Sequence, residues 1–328
     1  MTAILDISGL SVEITAKNAV FPVLRNIDLR LERKQVLGLV GESGCGKSMT
    51  AYSIMGLLPE GGAVSGGSIS FQGEDLIAAM KKTPQKIRGR HIAMIFQEPM
   101  SSLNPLFTIG QQMSEVFYYH LGLKGAANRT ACEKLLRAVN IPEEKRVYDY
   151  HPFRLSGGMR QRVMIAMALI CEPELIIADE PTTALDVTTQ AQILDLFIDL
   201  KKRTHSSFIF VSHDLGIIAE IADRVAVMYA GRIVEECSAA ALFDMPLHPY
   251  TLALMKSRIV RRSGEGDKPL FAIPGTVPPP LAEERGCAFA PRCDKRTGRC
   301  EREAPDFFEA ADSRAETGHK VRCWRFCR

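Results

Sequence analysis

The sequence predicts an α/β fold: a mainly parallel sheet, preceded by an antiparallel β subdomain, interrupted by a helical subdomain and followed by a small cysteine-rich extension. Three observations carry that prediction. An apolar strand, Val36–Val40, runs directly into the string Gly41-Glu42-Ser43-Gly44-Cys45-Gly46-Lys47-Ser48, with a helical pattern after it; strand, glycine loop and helix in that order are the context a phosphate-gripping loop requires. The apolar runs 175–178, 208–211 and 225–228 alternate with helical segments, the pattern of parallel strands joined by crossovers. Five of the nine cysteines crowd between 287 and 327.

Taken in order, residues 4–31 read as short strands, with alternating apolar positions in Leu10–Ile14, a turn at Lys17-Asn18 and a further strand at Ile27–Leu31. Val36–Val40 and the glycine loop follow, then a Gly-rich turn with a strand from Ser68. Residues 91–96 form a buried strand, and about 109–150 is mostly helical, within a helical subdomain of about 98–160. Another helix starts at Ser156. Composition shifts near Ser257: Arg258, Arg261, Arg262, Gly264, Pro274 and Pro278 to Pro280 read as a linker. This sets the domains at 1–256 and 257–328, a division that a 328-residue chain accommodates.

Composition excludes several classes. Hydrophobic residues at 46% suffice for a full core, while a net charge of +3 is too weak to imply nucleic acid. No run approaches about 18 consecutive apolar residues, so no spanning helix is expected. The first residues lack a basic segment followed by an apolar run, so no secretory signal is expected either and the protein reads as cytosolic.

In the glycine loop, backbone N–H groups turn toward phosphates and the following helix adds its positive end. Lys47 is expected to reach the β- and γ-phosphates and Ser48 to ligate Mg²⁺, with Met49 next in the helix. Asp179 closes the apolar strand from Leu175 and is expected to hold Mg²⁺, with Glu180 beside the metal; a strand-end acidic pair also reads as a cap for the next helix. Gln97 and His213 each follow a strand; alone, such residues read as polar surface and as a capping group.

The string Leu155-Ser156-Gly157-Gly158-Met159, lying between the glycine loop and Asp179-Glu180, resembles the signature of ABC-transporter ATPases, a resemblance covering about residues 4–255. It implies a P-loop NTPase (RecA-like) core that hydrolyses ATP with Mg²⁺. It makes Glu180 the general base, Gln97 the Q-loop glutamine contacting metal and water, and His213 the switch histidine on the γ-phosphate. Ser156, Gly157, Gly158 and Met159 would serve the nucleotide of an opposing subunit, and Ala184-Leu185-Asp186 resembles the D-loop on that interface. The commoner fifth signature residue is glutamine; Met159 departs from it without removing the helix-terminal amides. Phe21 is the candidate for stacking adenine, with a plain core or loop phenylalanine as the alternative.

Cys287, Cys293, Cys300 and Cys323 follow neither zinc-finger nor common ferredoxin spacing, although clustered cysteines in a reducing compartment point to metal. With His248-Pro249-Tyr250, Ile273-Pro274-Gly275 and Arg292, they resemble the C-terminal extension of oligopeptide, dipeptide and nickel importer ATPases. That resemblance implies a [4Fe–4S] cluster; zinc and a metal-free structural tail are the alternatives, and Cys327 is a spare that could replace Cys323. It further implies peptide import with a second, related ATPase, two transmembrane permeases and an extracytoplasmic substrate-binding protein, at the cytoplasmic face of the membrane. Import of nickel or another small solute, and a non-transport ABC ATPase in DNA repair or translation, are the alternative functions. The arginines at 285, 292, 296, 299, 302, 322, 325 and 328 read as a solvated surface interspersed with Glu301, Glu303 and Asp306, rather than as a lipid or nucleic-acid site.

Overall fold

The computed structural model describes residues 3–17, 19–183, 185–257, 272–278, 285–310, 312 and 315–327. Asn18, Ala184, Arg258, Arg261, Arg262, Gly264, Pro279, Pro280 and Arg328, all singled out above, lie outside the described residues. The chain divides into two compact units, each discontinuous in sequence: Met1–Ile4, Leu31–Val36 and Phe71–Val211 make one, Leu5–Arg30, Leu37–Ser70 and Ser212–Arg328 the other.

The first unit holds three parallel strands, Ile92–Ile95, Leu175–Asp179 and Ser207–Ser212, with Leu175 opposite Ile92 on one side and Ser207 on the other. The central strand is buried at every position, as expected of a strand covered on both faces. The helices expected over 109–150 are Ile109–Leu121, Gly125–Ala138 and Glu144–Tyr148. Thr108 and Gln111 close a reciprocal capping box at the first of these. Gly110 packs so tightly on Tyr148 that an added Cβ would lie 2.4 Å from the ring. Helix Val187–Arg203 covers the sheet with Phe197, whose ring meets Phe210 edge-on at 5.1 Å.

In the second unit, residues 4–31 differ from the short strands expected. They form two 14-residue strands, Ala3–Ala16 and Ala19–Glu32, turning at Lys17 with φ 48°. Pro22 does not end the second strand because that strand lies at the sheet edge, where its missing N–H costs no ladder bond. The third strand, Gly62–Phe71, starts earlier than the Ser68 expected. Its glycines are there for close approach: a Cβ on Gly67 would sit 2.4 Å from the Gly9 carbonyl.

Val36–Val40 pairs in parallel with Arg224–Tyr229, Val40 opposite Val227. Arg224–Tyr229 then turns back into Arg232–Ser238, a strand absent from the sequence reading. A bulge between Ile233 and Glu235 breaks the alternation that would have revealed it. Lys320–Val321 pairs with this strand and Phe308–Glu309 with Lys320–Val321, so the end of the chain is built into the sheet.

Candidate nucleotide site and cysteine module

Each end of the phosphate loop has a steric reason for its glycine. A Cβ on Gly41 would lie 2.3 Å from the Met228 carbonyl oxygen, and Gly46, at φ 110°, caps the helix Lys47–Met55. The Lys47 ammonium is buried and donates to the carbonyls of Gly41 at 2.8 Å and Glu42 at 3.1 Å, folding across the loop. Ser43 and Gly44 form the exposed lip, Cys45 is buried, and Ser48 and Met49 are half-buried. Burial pushes the Cys45 thiol up, the Lys47 charge opposing it. A cradle of turned backbone with one cation fits a polyphosphate. Phe21 is half-buried on the strand whose Leu24 side chain would lie 2.8 Å from a Cβ on Gly46. His213, in the same unit, is exposed directly after strand Ser207–Ser212.

In the first unit, Asp179 ends its strand fully buried. Glu180 follows with φ 46°, an unusual conformation for a residue with a side chain. Its backbone is held by its own N–H donating to Val211 O at 3.0 Å and by Thr183 N–H donating to its carbonyl at 3.2 Å. Gln97 Nε2 and Thr183 Oγ1 both donate to Glu180 Oε2, at 3.1 and 3.0 Å. The structure thus brings Gln97 and Glu180 together, and adds Thr183, which sequence reasoning missed although it lies three residues on. Such an outlier, locked from both sides, is the kind of local strain that collects at functional sites.

Ser156 caps the signature helix Gly157–Leu169, accepting the Met159 N–H at 3.3 Å. Ser156 and Gly157 are exposed, and a Cβ on Gly158 would lie 2.5 Å from Thr189 Cγ2. Met159 therefore leaves the helix start intact. Asp186 caps helix Val187–Arg203, accepting from Thr189 N–H at 2.9 Å and Thr189 Oγ1 at 2.7 Å.

Four of the tail cysteines, Cys287, Cys293, Cys300 and Cys323, lie near enough in the second unit to influence one another electrostatically. Cys287 N–H donates to Cys300 O at 2.7 Å. Burial pushes the Cys287 thiol up to about 11, and nearby Cys300, Cys323 and Cys293 add to the rise. Cys300 and Cys323 are buried, whereas Cys327 is exposed. The donor set fits either zinc or an iron–sulfur cluster. Among the described residues, the ligating group whose atoms all lie within 4.8 Å of one another is Glu235, Cys237 and His319, not a set of module sulfurs. Glu235 is already engaged: it accepts from Leu247 and His248 N–H and pairs with His319 Nε2 at 2.8 Å, both partners fully buried. That group straps the tail to strand Arg232–Ser238.

The tail arginines depart from a uniformly solvated surface. Arg299–Glu303 and Arg296–Glu301 are exposed pairs, but Arg322 and the Arg292 side chain are buried. Arg322 donates to Ile233 O and Pro305 O, both at 3.1 Å.

The model of the family described as "ABC transporter" matches residues 24–183, and that described as "Oligopeptide/dipeptide transporter, C-terminal region" matches 234–300. The oligopeptide transport ATP-binding protein AppD of Bacillus subtilis is 45% identical over 99% of this chain and 98% of its own length. The chain belongs to the ABC-transporter ATP-binding proteins. The probable peptide ABC transporter ATP-binding protein y4tR of Sinorhizobium fredii is 46% identical over 98% of this chain and 95% of its own. Among solved structures, the dimeric ATP-binding cassette MJ0796 bound to ADP and Pi aligns with TM-score 0.64 and 25% identity, covering 72% of this chain and 98% of its own. This ABC protein is accordingly an ATPase with a P-loop core. No helix among the described residues is long and apolar enough to cross a membrane.

Proposed function

We propose that this chain is the ATP-hydrolysing subunit of a membrane importer of di- or oligopeptides. The observation that carries the reading is the similarity to peptide-transport ATP-binding proteins over almost the whole chain, tail included. It would act with membrane permeases. We assign those permeases as a transmembrane pair, served by an extracytoplasmic binding protein, with a second related ATPase completing a heterodimer at the cytoplasmic face. Exposed Met100, Leu106, Phe107 and Phe153, all in the helical segment, supply apolar surface for a permease.

In this reading Lys47 and the loop amides of residues 43–48 hold the phosphates, and Phe21 stacks on adenine. Ser48, Asp179 and Gln97 hold Mg²⁺, which supplies charge neutralisation on the phosphates. Glu180, oriented by Gln97 and Thr183, takes the proton of the attacking water, and His213 stabilises the charge that develops on the γ-phosphate. Ser156, Gly157, Gly158 and Met159 serve the partner's nucleotide through the helix N-terminus, with Asp186 at the interface between the two ATPases. Cys287, Cys293, Cys300 and Cys323 hold a [4Fe–4S] cluster. Freshly purified anaerobic protein should be brown, with about four irons per chain; stoichiometric zinc without iron would refute the cluster.

The reading is tested by uptake of labelled dipeptides and longer peptides into membrane vesicles carrying the chain with its permeases. ATP-dependent peptide accumulation that vanishes with Lys47→Ala is expected. Accumulation of a metal ion and no peptide would contradict it.

A further inference from the structure

Arg292 makes five side-chain hydrogen bonds. Its guanidinium grips the Glu42 carboxylate as a fork, Nη1 to Oε2 at 2.7 Å and Nη2 to Oε1 at 3.0 Å. The remaining donors go to Pro274 O from Nε at 2.9 Å, to Tyr229 Oη from Nη1 at 3.4 Å and to Ile273 O from Nη2 at 3.4 Å. The Arg292 side chain is only 4% exposed, against 28% for Glu42. A bidentate pair with a largely buried guanidinium fixes direction as well as charge.

Glu42 is the second residue of the phosphate loop, and it is held from three sides. Arg292 takes its carboxylate, its N–H donates to Tyr250 Oη at 2.8 Å, and its carbonyl accepts the Lys47 ammonium at 3.1 Å. The two tyrosines that complete the clamp are packed on Phe289 of the tail, at ring distances of 5.3 Å for Tyr229 and 5.4 Å for Tyr250. Phe289 and Arg292 both lie in the short stretch between Cys287 and Cys293, which is folded by the Cys287 O–Ala290 N and Ala290 O–Cys293 N bonds.

We infer that Arg292 is a positioning residue for the phosphate loop: by clamping Glu42 it sets the loop, and with it the Lys47 ammonium, for polyphosphate binding. The cysteine module, by folding the stretch that carries Arg292 and Phe289, is thereby part of the nucleotide site. Arg292 touches no reacting atom in this scheme. The inference rests on the ATPase reading for its effect on nucleotide, but its effect on the loop does not.

Two readouts on the full chain test it, using wild type, Arg292→Ala, Glu42→Gln and the double variant. Titration with a fluorescent ATP analogue should show affinity reduced about tenfold in each single variant, as for loss of a charged hydrogen-bonded pair. The double variant should be no weaker than either single one, because both changes remove the same contact. In ATP hydrolysis, KM should rise while kcat changes less, the signature of lost uniform binding. Hydrogen exchange of the peptide spanning 41–48 should be faster in both single variants without nucleotide, with the helices of 109–150 unchanged. Unchanged loop exchange, or affinity losses that multiply in the double variant, would overturn the inference. Should Arg292→Ala fail to fold, Glu42→Gln decides alone, since it leaves every tail residue in place. Wild type that binds no nucleoside triphosphate would contradict the ATPase reading, and loop exchange would still judge the clamp.

Discussion

The phosphate loop and the cysteine module lie in one compact unit, yet they are built by opposite means. The loop is eight consecutive residues whose shape is dictated by backbone: glycines at 41 and 46 where a Cβ would collide, and one lysine folded over two carbonyls. The module is four cysteines spread over 37 positions, from 287 to 323, held in place by side chains: the Glu235–His319 pair, the two carbonyl bonds of Arg322 and the fork of Arg292 on Glu42. A contiguous backbone device tolerates changes around it. A dispersed side-chain device transmits them.

The largest expected effect lies on the chemical side of the comparison. Glu180→Gln should lower ATP turnover by about 10²- to 10⁴-fold, the range for loss of a positioned general base, while ATP is still bound. Turnover at the wild-type rate would remove Glu180 from that role.

Next comes the strap of the tail. His319→Ala removes the imidazole partner of the fully buried Glu235 carboxylate, and loss of a hydrogen bond to such a group costs about 1.5–3 kcal/mol. Chemical denaturation of this variant should show a clearly lowered midpoint. A midpoint within error of wild type would mean that the strap contributes nothing to folding.

A comparable effect, spread over a range of pH, comes from His248. Burial pushes His248 down to about 4 from its usual 6.5, while its Nδ1 accepts the Tyr250 N–H at 3.0 Å. The unfolded chain takes up this proton near 6.5 and the folded chain only near 4. The stabilisation from neutral His248 is therefore complete above pH 6.5 and lost as pH falls toward 4, a change on the order of 3 kcal/mol. His248→Gln should flatten that part of the stability–pH curve; an unaltered slope would assign it to other groups.

The same contrast explains what was legible in the sequence. The loop, the signature cap at Ser156 and the buried strand ending in Asp179 are local patterns, so contiguous strings of sequence, read with the family resemblance, located them. Strand Arg232–Ser238 was not legible, because its bulge and its buried acids Glu235 and Glu236 look like surface. Arg292 and Arg322 were read as solvated for a related reason: the partners that hold them include residues 63 or more positions away, Glu42 and Tyr229 in one case and Ile233 and Val234 in the other. Thr183 escaped notice because its role depends on the left-handed turn at Glu180, which no composition rule announces. The short strands expected over 4–31 proved long because an edge position accommodates Pro22.

The central claim is that module and loop act as one piece, and hydrogen exchange across the phosphate loop tests it most directly. Wild-type chain purified anaerobically is compared, without nucleotide, with a variant carrying serine at Cys287, Cys293, Cys300 and Cys323. Faster exchange in residues 41–48 of the variant, with the helices of 109–150 unaltered, is the result expected. Identical exchange in the loop, with the cysteine ligands gone, would contradict it.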